Sequence, residues 1–199
     1  MKFKALLFLS ALFLFSFLNV HDLLAQKRIP QEKFYFSGGY SFNSVKFLGK
    51  TENSETQILY LGYQKEIKEY DNGKLLWYTV DFVPYIHFLY PKRDEGNRIV
   101  SRRGFGVSPF GFSLTQANPK KLSPSVKTSG GFIYMENEFP TDNARKLNFT
   151  FDITLGADLK FSSFGMISFG YKFHHISNAE TGSENPGLDS NFLFLKFSI

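Results

Sequence analysis

From Leu147 to Lys160 the chain alternates between apolar and polar residues. Leu147, Phe149, Phe151, Ile153, Leu155 and Leu159 fall on one face of an extended strand. Asn148, Thr150, Asp152, Thr154, Asp158 and Lys160 fall on the other, because strand side chains point to opposite sides in turn. One face is greasy along its whole length, and the other carries too many charges for a dry core. In a soluble sandwich two such apolar faces have to pack on each other. A transmembrane barrel turns its apolar face to lipid and its polar face to the lumen. The same pattern opens the chain after residue 30, with Phe34, Phe36, Tyr40 and Phe42 against Tyr35, Ser37, Gly39, Ser41 and Asn43.

Segments of this kind recur at about 33–47, 56–69, 74–90, 102–115, 126–136, 145–160, 163–177 and 189–199. Each reaches the roughly 9–11 residues that a tilted membrane strand needs. An even number of strands closes an antiparallel barrel and leaves no unpaired edge in lipid. The expected fold is therefore all-β, an eight-stranded antiparallel transmembrane β-barrel of the outer membrane. In the fourth segment the apolar phase changes at Ser108-Pro109, which predicts a bulge or bend. With both termini in the periplasm, the Asp71-Asn72-Gly73 and Ser162-Ser163 turns are periplasmic and short, while 91–101, 137–144 and 178–188 form longer outer loops. The connection at 116–125 is long for a periplasmic turn.

The first residues give the route. Lys2 and Lys4 precede an apolar run from Ala5 to Val20, and Leu23-Leu24-Ala25 offers a small residue for cleavage. Residues 1–25 are expected to be a secretory signal peptide, and 26–199 the barrel. The run is short for a transmembrane anchor. The net charge of +5 falls by one when two Lys and one Asp leave with the leader, which is no nucleic-acid-binding stripe. No cysteine is present, so thiolate chemistry and disulfides are excluded.

Chemistry concentrates near residue 175. On the seventh segment Ile167, Phe169, Tyr171 and Phe173 share the lipid-facing side, and the same parity continues to His175 and Ser177. On the eighth, Leu193, Leu195, Phe197 and Ile199 share a face that runs back through Asn191 to Asp189. His175, Ser177 and Asp189 are thus expected on one side of neighbouring strands, at the outer rim. A serine hydroxyl needs an adjacent base to become a nucleophile, and a carboxylate fixes the tautomer of that base. Asn178 is a candidate hydrogen-bond donor to a developing oxyanion. The bland alternative is a set of polar rim residues around an Asn185-Pro186-Gly187 turn. His174, His87 and Asp81 fall on the lumen face. Lys92, Arg93, Arg98, Arg102 and Arg103 are placed at outer loops, where they either bind lipid phosphates or are simply solvated.

The run His174-His175-Ile176-Ser177-Asn178-Ala179, followed by Asn185-Pro186-Gly187-Leu188-Asp189-Ser190, resembles the end of the lipid A 3-O-deacylase family. Gly130-Gly131-Phe132-Ile133-Tyr134 and Leu147-Asn148-Phe149-Thr150-Phe151 resemble it too, so the likeness spans about 126–199. It implies an eight-stranded outer-membrane barrel with a Ser-His-acid triad on its outside: Ser177 as nucleophile, His175 as base and Asp189 as acid. The acid is Glu in the best-known members, which leaves Glu180 and Glu184 as substitutes. A glycine that supports the oxyanion hole in the family has no match after Asn178. The implied reaction is hydrolysis of the 3-position acyl ester of lipid A in the outer leaflet, without metal or cofactor. A homodimer is one assembly open to such a barrel. The competing class is a non-catalytic barrel with an envelope-structural or adhesion role.

Overall fold

A computed structural model describes residues 30–117, 122–161 and 165–199. The expected leader and the Ser162-Ser163 turn lie outside them, as does the middle of the 116–125 connection. The described residues form a closed antiparallel barrel of eight strands. These are β1 (Glu32–Val45), β2 (Glu55–Glu69), β3 (Lys74–Lys92), β4 (Arg98–Gln116), β5 (Ser123–Phe139), β6 (Arg145–Lys160), β7 (Met166–Ser177) and β8 (Leu188–Ser198). β1 pairs with β8 from Tyr35↔Ser198 to Val45↔Asp189 and closes the ring. Closure matters because backbone N–H and C=O groups find no water in a bilayer core. No helix among the described residues is long and apolar enough to cross a membrane.

The ends of the barrel differ. At the end where β1 begins and β8 finishes, β2 and β3 join through a tight turn in which Gly73 takes φ +74 and donates to Tyr70 O. At the other end lie the longer connections 46–54 and 178–187, together with 93–97 and 140–144. The connection expected at 91–101 is shorter than the sequence pattern indicated, because β3 and β4 continue pairing to Lys92↔Arg98. Arg102 and Arg103 are consequently strand residues, not loop residues.

Register slips in β4 and β3 reset the side-chain phase there. In β4 the register slips at Ser108-Pro109, as the sequence predicts. In β3 it slips between Val83 and Ile86, around Pro84. Proline cannot donate to a ladder, so both slips fall where the pairing is weakest. Below the β3 bulge Trp77, Thr79, Asp81 and Val83 point inward; above it Ile86, Phe88 and Tyr90 do. The slip moves His87 to the outer wall beside Tyr85, which corrects its expected lumen position. His174 and Asp81 are inside as expected.

The lumen has two halves. Towards the short turns it is polar: Lys127 pairs with Asp81 and donates to Tyr35 Oη at 2.8 Å, and Ser125 donates to Asp158 at 3.0 Å. Lys172 lies over the Tyr60 ring, 3.7 Å from its centroid. His174 Nδ1 meets Asp152 Oδ1 at 2.6 Å. Towards the long loops the lumen is filled by Ile86, Phe88, Tyr90, Ile133, Met135, Phe139, Ile176, Leu188 and Phe192, all fully buried. That half departs from the polar interior the alternation predicts. It is a packed apolar plug, and outward-facing apolar residues such as Phe105, Leu155 and Leu193 meet lipid.

Lys127→Met should strand the buried Asp81 carboxylate and cost about 3–5 kcal/mol of stability, the usual penalty for halving a buried ion pair. Asp81→Asn in the same chain should recover most of it. Urea unfolding of the barrel in lipid vesicles measures both.

Candidate active site

Ile176 and Leu188 set the geometry of the site. Both are fully buried in the apolar plug. Because strand side chains alternate, burying Ile176 turns His175 and Ser177 outward, and burying Leu188 turns Asp189 outward. β7 and β8 pair with His175 opposite Asp189. On the other side β6 sets Phe151 opposite His175 and Phe149 opposite Ser177, and these phenylalanines belong to the lipid-facing set.

The three side chains are in hydrogen-bond contact. His175 Nδ1 lies 2.6 Å from Asp189 Oδ1, and His175 Nε2 lies 3.0 Å from Ser177 Oγ. With the carboxylate accepting from Nδ1–H, Nε2 presents its lone pair to the serine hydroxyl. That is the tautomer a general base needs. All three residues are buried, although they face outward. The β1–β2 connection covers Asp189, and Gly187 of the β7–β8 loop lies against the His175 ring.

Asp189 Oδ2 accepts three backbone hydrogen bonds, from Phe47 N at 3.0 Å, Leu48 N at 2.6 Å and Gly49 N at 2.7 Å. The connection is fastened in turn to the β7–β8 loop. Lys50 N donates to Pro186 O at 2.6 Å, and Thr51 bridges Leu188 in parallel. Ser44 Oγ takes Ser54 N–H and donates to Thr51 O. Gly49 is pressed so closely on Leu188 that a Cβ there would lie 2.7 Å from its nitrogen. Sequence reasoning missed this clamp because its donors are main-chain groups. The glycine at 49 is its only signature.

The loop carboxylates do not compete with Asp189. Glu184 pairs with Arg93, and Glu180 is exposed at φ +65. Neither is bonded to His175. Asn178 is buried, its Nδ2 donates to Glu184 O at 2.6 Å, and its N–H donates to Asn185 Oδ1 at 3.0 Å. These bonds tie it into the 178–187 loop beside Ser177. The basic residues also separate. Lys92 is paired with Asp142 and Glu95, and Arg98 with Glu95. Lys92 holds the Glu95 carboxyl below its ordinary range by hydrogen bonding. Among the described residues no group of His, Asp and Glu is arranged to hold a metal ion.

A family model described as lipid A 3-O-deacylase (PagL) matches residues 35–198. The chain belongs to this family. As a PagL-family protein of the outer membrane it also shares its fold with solved barrels. The crystal structure of the outer membrane enzyme PagL superposes with TM-score 0.59 at 15% identity, covering 82% of this chain and 97% of that one. Neisserial surface protein A superposes with TM-score 0.54 at 10% identity, covering 86% and 99%. At these identities the likeness is one of fold. No curated protein sequence matches the chain significantly.

Asp189→Ala should leave the N–H groups of Phe47, Leu48 and Gly49 without their acceptor and destabilise the barrel by about 1–3 kcal/mol. The freed connection should be cut faster by trypsin at Lys46 and Lys50, whereas Asp189→Asn, which keeps an acceptor, should be cut more slowly than the alanine variant. A digestion time course on the folded protein checks both.

Proposed function

We propose that this PagL-family barrel is a serine esterase that hydrolyses the 3-position acyl ester of lipid A in the outer leaflet, with Ser177 as nucleophile, His175 as base and Asp189 as acid. The observation that carries this reading is the continuous hydrogen-bonded chain Asp189–His175–Ser177 on the lipid-facing wall. An enzyme for a soluble ester has no reason to put its nucleophile there. For lipid A the place is apt, since its acyl chains already lie against outward residues such as Ile153, Phe169 and Tyr171.

In the proposed reaction Ser177 Oγ attacks the ester carbonyl while His175 Nε2 takes its proton. The Asp189 carboxylate stabilises the imidazolium that forms. Collapse of the tetrahedral intermediate breaks the bond to the sugar oxygen, which leaves with the proton from His175. A water, deprotonated by the same histidine, then releases the 3-hydroxyacyl chain. This route requires no metal or cofactor. The Phe47–Gly49 clamp fixes Asp189, and Asn178 shapes the loop that follows the nucleophile.

Expressed in a Gram-negative host, the protein should remove one 3-hydroxyacyl chain from lipid A, read as a mass loss by mass spectrometry. Ser177→Ala should lower the rate at least about a thousandfold in a barrel that still folds. Unchanged lipid A in a correctly inserted barrel sinks the proposal, and activity surviving in Ser177→Ala sinks the assignment of the nucleophile.

A further inference from the structure

The β3 bulge has a chemical result on the far side of the barrel. It turns His87 outward, where its cross-strand partners are Gln57 on β2 and Arg103 on β4. His87 Nε2 lies 2.8 Å from Ser101 Oγ. Gln57, Ser101 and Arg103 are exposed. Lys92, Arg93 and Arg98 are each neutralised by carboxylates, but among the described residues no carboxylate lies within ion-pair distance of the Arg103 guanidinium. The Glu136 carboxylate accepts the Arg103 backbone N–H at 3.1 Å. Outward-facing apolar residues flank the row along the strands: Ile99 towards the loops, Phe105 and Tyr134 towards the membrane centre.

An unpaired cation on a lipid-facing wall is costly, most at mid-membrane and less near the interface. An anion from the leaflet removes that cost. We infer that the Gln57–His87–Arg103 row, with Ser101, binds the phosphate of a lipid headgroup in the outer leaflet, at a second lipid site. Arg103 supplies the planar fork that matches phosphate geometry, Gln57 adds a neutral donor, and the hydrogen-bonded His87–Ser101 pair has one more hydrogen to donate. β3 and β4 stand half-way round the ring from β7 and β8, so the lipid held here is not the one at Ser177. The site therefore stands or falls independently of the catalytic reading.

The test titrates the Ser177→Ala barrel in detergent with diphosphoryl lipid A and with chemically dephosphorylated lipid A, counting bound lipids by native mass spectrometry. The parent should hold a second diphosphoryl lipid. Arg103→Gln with His87→Gln should weaken that second binding roughly ten- to hundredfold, as expected for losing a charge-assisted contact. Arg103→Lys should restore part of it, since charge returns without the fork. The dephosphorylated lipid should bind the parent as weakly as the phosphorylated lipid binds the double variant. Equal binding of the two lipids by the parent overturns the proposal, and needs no variant to fold. Unchanged lipid binding in the double variant also overturns it, and loss of a dimer in that case names a second copy of the chain as the occupant. With Ser177 intact, Arg103→Gln should deacylate within about twofold of the parent rate.

Discussion

Everything functional on this barrel depends on the two-residue repeat of a strand within a sheet that has no edge. In lipid a strand cannot peel away or pair elsewhere, because every backbone group must be satisfied within the ring. Its side chains then have only two destinations. Once Ile176 and Leu188 are committed to the apolar plug, His175, Ser177 and Asp189 have no freedom to face anywhere but out. The site is positioned by what its neighbours do inside.

That dependence explains what was legible in the sequence. β6 is one uninterrupted alternation, and its bounds, 145–160, follow from the pattern directly. The parity of β7 and β8 is equally clean, so the shared face of the three site residues could be read before any coordinates. The β4 bulge announced itself because the phase visibly changes at Ser108-Pro109. The β3 bulge did not, since Phe82 to Tyr90 is mostly apolar on both faces and a slip leaves no contrast to notice. His87 was misplaced for that reason. An apolar run also hid the plug: alternation reports polarity, and in the outer half of β3 both sides of the strand are greasy.

The support of Asp189 was illegible for a different cause. Three main-chain donors from Phe47 to Gly49 carry no side-chain code, and more than a hundred residues separate them from Asp189. Only the barrel's closure through β1 and β8 brings them together. Asn178 is a similar lesson at short range. Its Nδ2 is tied to the carbonyl of Glu184 across a loop in which Ala179 and Glu180 both take positive φ, a contact that no pattern in the sequence announces.

The two-part lumen also bears on where reactants travel. The outer half is packed with buried side chains, and the polar half below it encloses a cavity of only about 30 Å³. The barrel is thus a solid post rather than a conduit. In the proposed reaction, water therefore reaches Ser177 sideways, through the hydrated headgroup layer. On that reading the hydration and packing of the surrounding leaflet meter the supply of water, so a tightly packed lipid surface slows the proposed hydrolysis without touching the protein.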